Sequence, residues 1–159
     1  MECVFCDERT IKAEEFYSDR YYRAIYNLRP FLPGHSLVLP KRHIEDLTEM
    51  NDAERRDLVS FLNRAIFIAL KYAGTEDYDL ILQQGENAGR SISHLHFHIL
   101  PRRADDSVNK GKSEWLSEFN RNEVFGRDLT AEEMKAAVEK AKGIADKYRS
   151  EIKILERSG

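Results

Sequence analysis

Several features are scarce in this 159-residue chain, and each scarcity narrows its reading. No apolar run approaches the ~20 residues that a membrane-spanning helix needs. The N-terminus, Met1-Glu2-Cys3, lacks a basic segment followed by an apolar stretch, so no export signal is expected and a cytoplasmic, reducing setting follows. Net charge is only −3 although 33% of residues are charged. That balance offers no general surface for a polyanion, so no nucleic-acid or membrane partner is expected. Internal repeats and low-complexity tracts are lacking too. Cysteines number two and histidines five. The length predicts one domain with a real core.

Three of the five histidines stand at alternate positions, His94-Leu95-His96-Phe97-His98, followed by Ile99-Leu100-Pro101. A strand turns successive side chains to opposite faces, so the segment predicts three imidazoles on one face and Leu95, Phe97 and Ile99 buried on the other. A lone strand histidine is ordinarily a solvated or hydrogen-bonded residue, but no packing demand calls for three in strict alternation. A single ion shared by all three is the rival. His94 and His98 stand ~13 Å apart along an extended chain, and metal–nitrogen bonds of ~2.0–2.1 Å would force a strained convergence. Two of the three can share an ion with ease.

Upstream, Gln83-Gln84-Gly85-Glu86-Asn87-Ala88-Gly89-Arg90-Ser91 joins an expected strand to the histidine strand. Its two glycines permit positive φ. The backbone N–H groups of such a turn, with Arg90 and Ser91, suit an anion, although glycine- and asparagine-rich loops also simply turn a chain. The two cysteines form a Cys3-x2-Cys6 pair whose reach suits two thiolates on one zinc. Two further ligands are then required, and reduced thiols or a redox pair are the alternatives.

The pattern predicts strands at Glu14 to Ser18, Tyr22 to Tyr26, Ser36 to Pro40, Asp79 to Gln83 and His94 to Pro101, in a mainly antiparallel sheet with helices on one side. Asn51 and Glu54 read as a capping box and Gly74 as a stop, with Leu58, Phe61, Leu62, Ala65, Ile66, Ala69 and Tyr72 at helical spacing between them. The second half of that helix is apolar nearly all round, which predicts a covering partner subunit or, alternatively, the C-terminal segment of the same chain. Residues 102–113 read as a linker or active-site loop, and Trp115, Leu116 and Phe119 as a short amphipathic anchor. Thr130 and Glu133 read as a second capping box, opening a helix toward Leu155 that Gly143 weakens. Arg102, Arg103 and Trp115 are candidates for touching substrate.

These motifs together resemble the histidine-triad (HIT) family of nucleotide hydrolases and transferases. Beside His-x-His-x-His, Pro33-Gly34-His35-Ser36-Leu37-Val38-Leu39-Pro40-Lys41-Arg42-His43 is similar to the family's upstream strand and its Pro-Lys-x-His extension. Gly85 to Ser91 is similar to its phosphate loop, and Cys3-Val4-Phe5-Cys6 to the N-terminus of its zinc-containing members. The resemblance implies an α+β, HIT-like fold: a mainly antiparallel sheet with a long helix packed on it and a C-terminal helix. It implies a HIT domain over 1–104, and 105–159 as a loop and helical extension packed on the same domain. It implies a homodimer.

The resemblance also supplies roles. His96 becomes the nucleophile on an α-phosphorus, giving a nucleotidyl-histidine; His98 contacts phosphate oxygens or the leaving group, and His35 completes the imidazole network. Asn27 falls where ribose hydroxyls are held, Val4, Phe5 and Leu28 where the base is sandwiched, and Gln83 where an amide meets the phosphates. Backbone amides from Gly89 through Arg90 and Ser91 to Ile92 would face developing charge. Arg90 departs from the family's usual glutamine, and either grips a further phosphate or points to solvent. Cys3, Cys6, His43 and His94 would form a closed structural zinc site, which denies His94 a role as free proton shuttle; no organic cofactor is implied. Asn27 with Gln83 resembles the fragile-histidine-triad branch, so dinucleoside polyphosphate hydrolysis is the expected activity. The alternatives are a phosphorylase or phosphoramidase, distinguished by incorporation of phosphate, a nucleotide-binding regulator without turnover, and a metal-dependent enzyme using two triad histidines.

Overall fold

The computed structural model describes residues 3–106 and 114–157, with the backbone alone at Arg157. Five strands form one sheet, β1 (Glu15–Ser18), β2 (Tyr22–Tyr26), β3 (Ser36–Pro40), β4 (Asp77–Ile81) and β5 (Phe97–Arg102). The order is β1-β2-β3-β5-β4 and every neighbouring pair is antiparallel. Five helices accompany it, α1 (Glu8–Glu14), α2 (Asp52–Ala73), α3 (Glu114–Phe125), α4 (Ala131–Lys147) and α5 (Arg149–Arg157). The architecture is α+β, and no helix of the described residues is long and apolar enough to cross a membrane.

Both expected capping boxes form: Asn51 accepts from the Glu54 N–H while Glu54 accepts from the Asn51 N–H, and Thr130 and Glu133 do the same. Each pair satisfies two N–H groups that a helix start leaves unpaired. Gly74 ends α2 at φ 68°, a left-handed conformation that costs a glycine little.

Cross-strand pairs share a face, which sorts the sheet cleanly. Ala24, Val38, Phe97 and Ile99 lie on one face and join the core made with α2 and α4. Ile25, Leu37 and His98 lie on the other, where Leu37 and Ile25 pack with Phe5 and Ile11. Leu95, Phe97 and Ile99 are buried, as the alternation predicts, and so are all three histidines of the motif.

Four expectations need correction. The histidine strand begins at Phe97 rather than His94, because β3 pairs with β5 only from Ser36 to Val38. Before that the Leu95 N–H donates to the Ile44 carbonyl and the His94 N–H to that of Ile92. The strand placed at 79–83 runs 77–81, following its pairing from Arg102 back to His98, and this leaves Gln83 beyond its end. Glu14 closes α1, a helix not foreseen, and β1 starts one residue later. The C-terminal helix passes through Gly143 and breaks instead at Tyr148, with φ −104° and ψ 27°. There the Tyr148 ring meets Phe67 of α2, and α5 turns to bring Ile152 into the core.

The apolar second half of α2 is flanked by α4 and α5 of the same chain, so its composition does not by itself demand a partner. Phe119 of α3 is buried and Trp115 half-buried, whereas Leu116 is exposed. Most of the expected linker, residues 107–113, lies outside the described residues.

Candidate functional site

The histidine-bearing face of the sheet carries two adjoining constellations, one a cluster of thiols and imidazoles and one a pocket open to a small molecule. At the first, a 3-10 turn at Val4–Cys6 brings both thiols beside His43 and His94, and the four ligand atoms all lie within 4.8 Å of one another. Cys3 Sγ stands 3.6 Å and Cys6 Sγ 3.7 Å from His94 Nδ1, and Cys6 Sγ stands 3.4 Å from His43 Nδ1. A tetrahedral ion with bonds of ~2.3 Å to sulfur and ~2.0 Å to nitrogen sets that separation at about 3.5 Å. Nε2 of His94 lies 2.9 Å from the carbonyl of Pro40, so it donates there and turns the lone pair of Nδ1 toward the thiolates, the support that ligating imidazoles normally have. The donor set therefore fits a closed Cys2His2 centre.

The second constellation is a pocket of about 320 Å³ lined by Val4, Phe5, Thr10, Glu14, Asn27, Leu28, Arg29, Leu37, Ser91, Ile92, His96 and Glu123. Seven of these are residues that the sequence singled out: Val4, Phe5, Asn27, Leu28, Ser91, Ile92 and His96. The apolar side chains make a slot, and His96 stands in its wall with Phe5 edge-on at 5.4 Å. His96 Nδ1 lies 2.7 Å from the carbonyl of His94. A carbonyl only accepts, so Nδ1 carries the proton and Nε2 the lone pair. Burial lowers the pKa of His96, the hydrogen bond to His94 opposes that shift and the charge of Arg90 adds to it. A neutral imidazole with a fixed bare nitrogen is a competent nucleophile.

His98 and His35 sit deeper, and a chain of bonds assigns their tautomers. The Phe31 N–H donates to His35 Nδ1 at 3.0 Å, so the proton of His35 is on Nε2. That proton points at His98 Nδ1, 3.0 Å away, which leaves the N–H of His98 on Nε2. Burial holds both rings neutral, with His35 pushed down to about 3 and His98 well below its ordinary value. Phe119 of α3 meets both rings, at 5.9 and 5.1 Å.

The remaining candidates fall around this centre. Gly89 has φ +94°, and a side chain there would meet the Gln83 amide at 2.8 Å, so the loop closes directly on Gln83. Gln83 is buried and donates to Asn120 of α3 at 2.7 Å. Arg90 neither grips an open site nor points to solvent: its guanidinium donates to the carbonyl and carboxylate of Glu45. Arg102 bonds Asp79 and Asp106 and lies over the Trp115 ring, and Arg103 bonds Asp105 and the Ala73 carbonyl. None of these three lines the pocket.

Two acids that the sequence did not flag are in its lining. Glu14, at the end of α1, is buried with no cation or hydrogen bond to offset it among the described residues, and burial raises its pKa to about 7. Glu123, on α3, is likewise raised to about 7 by burial, against the opposing hydrogen bond from Asn27. Glu123 lies 96 positions from Asn27, and no local pattern announces a contact at that separation.

Comparison with known proteins agrees with this geometry. The HIT domain profile matches residues 8–105. An uncharacterised HIT-like protein of Mycobacterium tuberculosis is 34% identical over 131 residues, covering 81% of this chain and 91% of that one. A bis(5'-adenosyl)-triphosphatase of Dictyostelium discoideum is 33% identical over 98 residues, covering 62% and 66%. Among solved structures, a zinc-bound histidine triad family protein from Mycobacterium smegmatis superposes with a TM-score of 0.70 at 25% identity, covering 94% of this chain and 97% of that one. By motif, by fold and by descent, the chain belongs to the HIT family.

Proposed function

We propose that this protein is a nucleotide hydrolase that cleaves dinucleoside polyphosphates at the α-phosphate through a nucleotidyl-His96 intermediate. The tautomer of His96 carries the reading: its Nδ1–H is committed to the His94 carbonyl, and its ring lines the pocket. In the first step Nε2 attacks the α-phosphorus, a P–N bond forms, and the P–O bond to the leaving nucleotide breaks with its electron pair. His98 Nε2–H is the donor to that oxygen or to the phosphate beside it. Water then attacks the same phosphorus and gives up a proton to solvent, the pair of the P–N bond returns to Nε2, and a nucleoside monophosphate leaves. Val4, Phe5, Leu28 and Ile92 would hold the base, Asn27 the ribose, and Gln83 with the amides from Gly89 to Ser91 the phosphates. The bis(5'-adenosyl)-triphosphatase relative supports the substrate class.

In the same reading Cys3, Cys6, His43 and His94 hold a structural zinc, supported by their spacing and by the zinc-bound relative. The ion would pin the N-terminal turn to the sheet; its coordination is complete without substrate. Residues 105–159 act as an extension of the HIT domain, with α4 against β1 and β2 supporting that assignment. A homodimer formed along the sheet edge is supported by exposed Tyr78 and Leu80 on β4, the last strand in the order; sedimentation of a single monomeric species would refute it. A cytoplasmic location accords with thiols kept reduced for metal.

The decisive experiment incubates the protein with diadenosine tri- or tetraphosphate, quenches in alkali, and weighs the protein and its peptides. The expected result is an adenylyl group on the peptide containing His96, absent in His96→Ala. Turnover without that adduct, or undiminished in His96→Ala, would overturn the mechanism. Added phosphate appearing in product would make the enzyme a phosphorylase.

A further inference from the structure

The Asn27 end of the pocket, assigned to the ribose above, holds a group that the triad chemistry does not use. Asn27 is 7% exposed and its amide is already committed at both ends. Its Oδ1 accepts from the Arg29 N–H at 3.2 Å. Its Nδ2 donates to Glu123 Oε1 at 3.2 Å and lies 3.1–3.2 Å from the ring nitrogens of His35. A ribose presents two adjacent hydroxyls, hence two O–H donors. An amide has one acceptor oxygen with two lone pairs, and here one of the two is spent on Arg29. Asn27 alone can accept from one hydroxyl.

Beside it stands a carboxylate, which has acceptors in excess. Among the described residues the hydrogen bond to the Glu123 side chain comes from Asn27 alone. Position is fixed by the backbone rather than by that carboxylate: Arg29 Nη1 donates to the Glu123 carbonyl at 3.0 Å, Asn122 Nδ2 donates to the Arg29 carbonyl at 2.9 Å, and Arg29 also pairs with Asp128. The end of α3 is thus clamped to the segment 27–29 whatever stands at the tip of residue 123.

We propose that Glu123 and Asn27 together form the acceptor pair for the 2′- and 3′-hydroxyls of the bound nucleotide, so that α3 makes the site selective for ribonucleotides over deoxyribonucleotides. This rests on the nucleotide reading above. Asn27 takes one hydroxyl on its remaining lone pair, and Glu123, oriented by the Asn27 amide, takes the other. A lost hydroxyl would leave the half-buried carboxylate with the Asn27 donor alone and its remaining acceptor capacity unmet, which is the kind of mismatch that discriminates.

The test is calorimetric titration of adenosine 5′-monophosphate and its 2′-deoxy and 3′-deoxy counterparts into the wild type, Glu123→Gln and Glu123→Ala. The wild type is expected to bind the ribonucleotide on the order of 10- to 100-fold more tightly than the deoxy form lacking the hydroxyl that meets Glu123. Glu123→Ala should lose most of that preference and Glu123→Gln, which keeps one amide acceptor, less of it, while both keep wild-type affinity for that deoxy form, which also reports an intact pocket. Unchanged preference in both variants would overturn the proposal. So would tighter ribonucleotide binding, which would make the carboxylate a competitor, or an equal loss for all three ligands, which would make Glu123 merely structural. A wild type that binds none of them and forms no adduct with a dinucleoside polyphosphate would instead remove the nucleotide reading itself.

Discussion

The carbonyl of His94 accepts the Nδ1–H of His96 at 2.7 Å, while the ring of His94 turns Nδ1 toward the thiols of Cys3 and Cys6. One residue thus joins the Cys2His2 cluster by its side chain and the proposed nucleophile by its backbone. Replacing Cys3 or Cys6 by serine should therefore reach the chemistry although neither residue lines the pocket. The expected outcome is loss of bound zinc, a lower unfolding temperature, and a turnover rate reduced on the order of 10- to 100-fold, as for other groups that orient a reacting residue. Metal analysis beside adenylylation rate checks it. Full activity in metal-free protein would separate the two constellations.

The proton chain from Phe31 through His35 to His98 makes His98 a donor at Nε2. His98→Ala should slow cleavage of poor leaving groups by roughly 10²- to 10³-fold, the usual range for one lost hydrogen-bond donor to developing charge. An activated ester such as a nitrophenyl nucleotide, whose leaving group needs less stabilisation, should suffer far less. Equal losses on both substrates would assign His98 to phosphate binding instead.

Arg64 is almost wholly buried and serves three acids, at 2.9 Å to Asp19, 3.6 Å to Glu156 and 3.7 Å to Asp57. It ties α2 to the turn before β2 and to α5. Arg64→Leu leaves those carboxylates uncompensated, and about 3–5 kcal/mol of stability should be lost. Urea unfolding measures this directly, and a loss below about 1 kcal/mol would contradict the account.

Glu14 offers a pH test. Its folded pKa of about 7 lies above the ordinary 4.5, so between those values the folded chain holds more protons than the unfolded one. The stability contribution is complete below pH 4.5 and falls as pH rises toward 7, after which it is flat. Glu14→Gln should remove that fall and be more stable than wild type at pH 8 by about 2 kcal/mol. Unfolding curves at pH 5 and 8 decide it; parallel behaviour of the two proteins would show that Glu14 finds a partner in solution.

What the sequence revealed was whatever its own neighbourhood settles. The alternation through His94, His96 and His98 predicts which face each side chain takes, and the Asn51–Glu54 and Thr130–Glu133 boxes mark helix starts within four residues. The Cys3 and Cys6 half of the cluster is legible in its own spacing, whereas His43 and His94 join it only through family resemblance, because their convergence depends on tertiary folding. The break at Tyr148 was hidden: Gly143 looks weaker locally, but the packing of Tyr148 on Phe67 decides where the chain turns. Glu14 and Glu123 were hidden for the same reason. Glu14 reads as the start of a strand and Glu123 carries no signal of its own; only the approach of α1 and α3 brings them into the pocket lining.

Because Leu95, Phe97 and Ile99 point toward α2 while the intervening histidines point away, the two sets are interleaved on one short segment. Deleting or inserting a single residue there exchanges them, driving imidazoles into the oily side and hydrocarbon into the side that faces the pocket. The molecule can therefore lose its activity through point substitution and still fold, but an indel within 94–99 should forfeit both at once. Genetic tolerance in this stretch is expected to be all substitution and no length change, a signature that a deep insertion–deletion scan would reveal without any knowledge of the substrate.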